Sequence, residues 1–258
     1  TEGNLNNHLG VPLTILSMPN DCEFLVVEMG ANHLGEISEL ASISEPNFGI
    51  ITNIGLAHLE GFGSAEGVKK GKTELFDYLR NTKNSDGSNK KVFVNGGYPE
   101  LLEISDGMDR VIFGTEDEKP KVWFEGEGSK REFVWTEEGY KSDKATIQLE
   151  GDYNLENIAA AISIGRFFGI ERLTVKSSIS NYIPTNNRSQ TINTESNEII
   201  LDAYNANPSS MEKALKSFAI HKKHPRIVIL GEMRELGKDS IELHSTIVRL
   251  CHELELDG

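Results

Sequence analysis

Four short apolar runs, EFLVVEM at 23–29, FGIITNI at 48–54, KVFVN at 91–95 and RVIF at 110–113, punctuate the first part of the chain. Each is too short for an independent helix. Continuous apolar runs of this length suit strands buried on both faces, and helical segments between them supply the crossover connections of a parallel sheet. The spacing predicts helices over 36–43, 64–79 and 99–104. The second has Ser64 as its N-cap and Val68, Leu75, Phe76 and Leu79 along its apolar side. An α/β protein with a mostly parallel sheet flanked by helices is therefore expected.

Further along, the period changes. Between 121 and 150, WFEG, EFVWT and ATIQL alternate apolar and polar residues, which predicts a small antiparallel subsheet beside the parallel one. NLENIAAAISIGRFF at 154–168 reads as a helix ended by Gly169. A polar stretch, PTNNRSQ, then precedes a fresh strand, helix, strand pattern: 198–202, 209–221 and 226–230, with a last helix over 240–254. We expect a first domain over 1–184 and, over 185–258, the start of a Rossmann-like α/β domain.

Composition narrows the function. Lys and Arg number 26 against 40 Asp and Glu, a net charge of −14, so a large basic face for nucleic acid or an anionic membrane is excluded. Small anions remain admissible, because backbone amides and metal ions bind them whatever the net charge. No run approaches eighteen apolar residues, so membrane insertion is not expected. Cys22 and Cys251 lie far apart and outside any metal-ligand spacing, which favours a reducing compartment, the cytoplasm.

Gly71-Lys72-Thr73 imitates the end of a phosphate-binding loop, but the upstream glycine is Gly67, one residue too close, and the stretch lies inside a helical pattern. A stronger set is Glu28, His58 and Lys72, placed near the end of one apolar run, just past the next, and on the following helix. The C-terminal ends of parallel strands are where such sheets hold ligands. A carboxylate and an imidazole suit a divalent cation serving phosphoryl transfer, whereas a protonated lysine repels one unless it is converted to a carbamate or binds phosphate itself. Each residue also has a plain structural alternative: ion-pair partner, loop hydrogen-bonder, solvated helix face.

Five blocks, TEGNLNNHLGVPLTIL, VVEMGANHLGEI, ITNIGLAHLEGFGS, GDYNLENIAAAISIG and LDAYNANPSSM followed by VILGEMRELG, occur in this order, and together they resemble the Mur ligases. The resemblance implies the Mur-ligase central sheet and an ATP-dependent amide ligase. In the branch these blocks match, D-alanyl-D-alanine is joined to UDP-N-acetylmuramoyl-tripeptide through an acyl phosphate, in peptidoglycan precursor synthesis. It implies Glu28 and His58 as Mg2+ ligands, and Lys72, with Leu75 and Phe76 behind it, as a carbamylated third. It further implies that Asn154 and Asn157 meet the adenine, that Arg188 and Asp202 meet the nucleotide's phosphates and ribose, and that Thr1, Asn4, Asn6 and Asn7 touch the muramoyl peptide. The partners implied are small molecules, with the protein a monomer. The family's own phosphate-binding loop lies upstream of the TEGNLNN block, so the chain is expected to be a central domain lacking that loop plus part of a C-terminal domain, inactive alone. Folylpolyglutamate synthases share the same metal and nucleotide logic, and a non-catalytic module keeping the fold is the remaining alternative.

Overall fold

The computed structural model describes residues 1, 4–55, 59–114, 120–126, 131–149, 151–184, 187–188, 190–221 and 224–258. The chain divides into two compact units, Thr1–Val94 with Tyr98–Val111, and Asn95–Gly97 with Ile112–Gly258.

Over residues 1–113 the elements run α1 (Gly10–Leu16), α2 (Glu36–Ser44), β1 (Phe48–Ile50), α3 (Leu59–Phe62), α4 (Ala65–Asn81), β2 (Lys91–Asn95), α5 (Pro99–Ile104) and β3 (Asp109–Phe113). The sheet order is β1-β2-β3, with β1 and β2 parallel in the register Gly49 to Val92. Helix α4 starts as its sequence requires: Ser64 Oγ accepts the Gly67 N–H at 3.0 Å. It buries Val68, Phe76 and Leu79, and Phe76 is completely enclosed.

The glycine pair that imitates a phosphate loop has a packing role. A Cβ at Gly67 would stand 2.1 Å from the Phe62 carbonyl oxygen, and one at Gly71 would stand 2.3 Å from the Phe62 ring. Residues four apart share a helix face. Gly67 and Gly71 thus cut a groove along α4 into which the last residue of α3 presses its backbone and its ring. The short helix α3 lies between the apolar run at 48–54 and α4, where the sequence pattern predicts no helix.

Two expected strands are absent. Residues 23–29 form no strand, and Phe24 and Val26 are 61% and 81% exposed. Their backbone meets Thr1 instead: the Thr1 amine donates to the Val26 oxygen at 3.1 Å, and the Glu28 N–H donates to Thr1 Oγ1 at 2.8 Å. Residues 226–230 likewise form no strand, although the Val228 N–H donates to the Gly258 oxygen and the Asp257 N–H to the Arg226 oxygen. Apolar content marks a segment as strand-like, but a strand exists only when a neighbour completes its ladder.

The second unit holds β4 (Lys121–Glu125), β5 (Glu132–Glu137), β6 (Tyr140–Lys141) and β7 (Ala145–Thr146), then α6 (Asn154–Phe167) and α7 (Arg172–Ser180). The expected antiparallel subsheet forms, with β4, β6 and β7 all pairing to β5. Its inner face packs Phe133 and Trp135, stacked at 5.7 Å, with Ile158 and Ile162 of α6 and Val175 of α7. Glu137 ties both helices to the sheet, accepting from Arg166 Nε at 2.9 Å and Arg172 Nε at 3.0 Å. The chain continues through β8 (Gln190–Asn193), β9 (Glu198–Leu201), α8 (Pro208–Ala219) and α9 (Ser240–Glu253), where Leu215, Met233, Leu236 and Ile247 form a separate core cluster. Among the described residues no helix is long and apolar enough to cross a membrane.

If the groove on α4 is what seats α3, Gly71→Ala should destabilise the fold by about 1–3 kcal/mol, the usual cost of overpacking. Chemical denaturation measures it, and an unchanged midpoint would refute the packing role.

Candidate functional site

The segment that carries Glu28 is held from the N-terminal side. Asn6 Nδ2 donates to Glu28 Oε1 at 3.1 Å, and the Gly30 N–H donates to the Asn6 oxygen at 2.7 Å. A Cβ at Gly30 would lie 2.8 Å from the Asn6 carboxamide carbon, so this glycine lets the asparagine side chain cross the backbone to reach the carboxylate. Glu28 itself remains exposed. Thr1 and Asn6, expected to touch substrate, are thereby brought to Glu28. The Asn7 side-chain oxygen instead accepts the Leu9 and Gly10 N–H groups, at 3.1 and 3.0 Å, and so prepares the first turn of α1, while the Asn4 oxygen accepts the Asn6 N–H at 2.8 Å.

Lys72 projects from α4 with its amine donating to the Asn53 backbone oxygen at 2.9 Å, just beyond β1. Burial holds its pKa below the ordinary 10.5. The chemical consequence is direct: a buried amine is more often neutral, and the neutral amine is the form that attacks carbon dioxide. Its nitrogen would bond to the carbon, lose a proton to solvent and become an anionic oxygen donor. His58 lies outside the described residues. Its successor, however, opens α3, and α3 meets the loop after Glu28: a Cβ at Gly61 would sit 2.1 Å from the Asn32 carbonyl oxygen.

That loop is itself gripped by two carboxylates that the sequence reading passed over. Glu36 Oε2 accepts the Asn32 and His33 N–H groups at 2.7 and 3.2 Å, and the Asn32 bond is the leading reason its pKa is lowered. Glu74, two residues beyond Lys72, accepts the Gly35 N–H at 2.6 Å and the Ser38 N–H at 3.1 Å. Helix α2 has no side-chain cap of its own at Gly35, so α4 supplies one from outside. A glutamate in the register of α4 carries no local signal of this, since its partners lie 39 and 36 residues away.

Among the described residues no three His, Cys, Asp or Glu side chains cluster closely enough to hold a metal ion. Of the expected ligands in the first unit, the exposed carboxylate of Glu28 is a hard oxygen donor, the type Mg2+ takes, and the Lys72 amine would be one only as a carbamate.

In the second unit, Asn154 is buried at the start of α6 and its Oδ1 accepts from Asn157 Nδ2 at 3.1 Å, so the two expected adenine contacts form one pair. Beside them Tyr153 donates its hydroxyl to Asp202 Oδ2 at 3.3 Å, bringing the residue after β9 to the foot of α6. Arg188 stacks its guanidinium 3.9 Å from the centre of the Tyr204 ring. The structure thus links Asn154, Asn157 and Asp202 through Tyr153 and places Arg188 on Tyr204. Both tyrosines sit beside residues singled out from the sequence, in GDYN and DAYN, and adjacency was the signal available for them.

Comparison with known proteins identifies the family. The Mur ligase middle domain model matches residues 1–165, and the Mur ligase glutamate ligase domain model matches residues 187–256. A UDP-N-acetylmuramoyl-tripeptide--D-alanyl-D-alanine ligase of Bacillus subtilis is 33% identical over 97% of this chain and 52% of its own length. Among solved structures, MurF from Acinetobacter baumannii superposes with a TM-score of 0.88 at 27% identity, covering 100% of this chain and 56% of that one. MurF ligase from Thermotoga maritima, solved in complex with ADP, shares the fold with a TM-score of 0.86 at 24% identity, over 100% of this chain and 58% of its own. The chain spans about half the length of the curated relatives it matches.

The buried amine makes a pH-dependent prediction. Burying a charged lysine costs stability below its folded pKa, and the cost is relieved as pH rises from there toward 10.5. In buffers purged of carbon dioxide, the stability of Lys72→Met relative to the wild type should therefore be greatest near neutrality and decline toward pH 10.5. Denaturation midpoints across that range measure it, and a relative stability that climbs with pH would contradict the burial of the amine.

Proposed function

The chain belongs to the Mur ligase family, and on that premise we propose that the whole protein is the ATP-dependent ligase that adds D-alanyl-D-alanine to UDP-N-acetylmuramoyl-tripeptide. The observation that carries this reading is the half-buried Lys72 amine in the same compact unit as the exposed Glu28 carboxylate, each anchored by a hydrogen bond from a different part of the fold. The named relative's match across nearly the whole chain supports the substrate assignment.

In the proposed reaction the terminal carboxylate of the tripeptide attacks the ATP γ-phosphorus, releasing ADP and forming an acyl phosphate. The amine of D-alanyl-D-alanine then attacks that carbonyl carbon, phosphate leaves, and the amine's proton goes to solvent. Mg2+, when bound, would offset the negative charge that builds in both steps. Glu28, His58 and carbamylated Lys72 are the residues proposed to hold it. Asn6 fixes one oxygen of Glu28 by donating to it, which leaves the other oriented for a ligand. Asn154 and Asn157 would read the adenine, and Arg188 and Asp202 the phosphates and ribose. Thr1, Asn4, Asn6 and Asn7 line the muramoyl-peptide side in this reading, Asn7 through atoms other than the oxygen that caps α1. We place the domain division at 184–185 and the enzyme in the cytoplasm, as a monomer.

The test is phosphate release by the intact enzyme with ATP, Mg2+, the UDP-tripeptide and D-alanyl-D-alanine. Release should require all four, and Lys72→Ala or Glu28→Ala should lower it about a hundredfold or more, as loss of electrostatic stabilisation does elsewhere. Release that proceeds with glutamate and a folate in place of the two peptide substrates would replace this reading with that of a folylpolyglutamate synthase. Nucleotide binding with no turnover on either pair would make the chain a binding module.

A further inference from the structure

We propose that Glu74 is a positioning residue for the phosphoryl-transfer site: its carboxylate grips the α2 end of the loop that follows Glu28, and so sets where Glu28 stands relative to Lys72. The proposal rests on the ligase reading above and adds to it a residue outside the set Glu28, His58 and Lys72.

Lys72 and Glu74 are two residues apart on α4, and at 3.6 residues per turn their side chains leave the helix roughly 200° apart. Lys72 reaches toward the segment after β1, donating to the Asn53 oxygen at 2.9 Å, while Glu74 reaches toward α2, accepting the Gly35 and Ser38 N–H groups at 2.6 and 3.1 Å. One helix therefore holds the amine and the far end of the Glu28 loop at once. Between Glu28 and Gly35 the loop has little slack. The Gly30 N–H is tied to the Asn6 oxygen at 2.7 Å, Asn32 and His33 donate to Glu36, and the Asn32 carbonyl abuts Gly61 closely enough to exclude a Cβ. A shift at Gly35 has few places to be absorbed before it reaches Gly30 and the carboxylate two residues before it.

A merely local cap and a positioning residue predict different outcomes for Glu74→Gln. The amide offers one acceptor oxygen and turns an N–H toward the other backbone donor, so one of the two bonds is lost. If Glu74 positions the site, amide hydrogen exchange should quicken at Gly30 and Asn32 as well as at Gly35 and Ser38. In the intact ligase the Mg2+ concentration for half-maximal phosphate release should rise about tenfold or more, in the range seen when groups supporting metal ligands are removed. The KM for D-alanyl-D-alanine should stay within about twofold, because no step of the argument touches the acceptor. Faster exchange confined to Gly35 and Ser38, with an unchanged Mg2+ requirement, would overturn the proposal and leave Glu74 as a helix cap. A wild type that releases no phosphate would sink the ligase reading, while the exchange pattern would still decide whether Glu74 controls the loop. Should Glu74→Gln fail to fold, Glu74→Asp, which keeps the charge but falls a methylene short, is read by the same measurements.

Discussion

Helix α4 is the constraint on which the first unit depends, because three separate segments take their positions from it. Its Gly67 and Gly71 groove admits Phe62 and so seats α3, its Lys72 amine fastens the segment after β1, and its Glu74 carboxylate closes the first turn of α2. These contacts differ in kind. The groove is dispersion and shape, where one added methyl forces a backbone displacement. The Lys72 and Glu74 bonds are directional and link groups far apart in sequence. A helix with larger residues at 67 and 71 could keep its amphipathic pattern and its N-cap and still fail to bring α3 against the loop after Glu28.

The same arrangement sets the environment of the Lys72 amine, which bears on the carbamate proposed for it. A lysine at a solvated helix face stays protonated and repels cations. Lys72 is half-buried, with burial the cause of its lowered pKa and a neutral carbonyl, not a carboxylate, receiving its hydrogen bond. An acidic partner would have stabilised the ammonium form and closed the route to the carbamate. Pairing with a backbone oxygen avoids that, and it also fixes the amine's direction.

Much of this was legible from the residues, and the parts that were not share a physical reason. Ser64 and the apolar stripe of α4, the antiparallel subsheet over 121–146, α6 with Gly169 beyond it, and α8 and α9 all follow from local period and capping, which depend on neighbours a few positions away. The runs at 23–29 and 226–230 did not become strands, because pairing is a property of two segments and composition describes only one. Glu74 shows the same limit at the site: on its own helix it is an unremarked polar residue, and its role appears only with Gly35 and Ser38 beside it. Glu28 and Lys72 could be singled out from their places at the end of an apolar run and on the following helix, and the family resemblance added the roles expected of them.

In the second unit the residues singled out from the sequence are held by modest contacts. Tyr153 reaches Asp202 at 3.3 Å, a long bond for a hydroxyl donor, and Arg188 rests on Tyr204 by a ring contact. Exposed interactions of this sort are individually weak. They hold Asp202 at the foot of α6 and Arg188 on the Tyr204 ring by contacts that a better partner could replace. A phosphate or ribose would compete on favourable terms, since a guanidinium gains more from a charged oxygen than from a ring face. Tyr153 and Tyr204 thus orient Asp202 and Arg188 through contacts that a more strongly charged partner could displace, and orientation held in advance lowers the ordering cost of any such exchange.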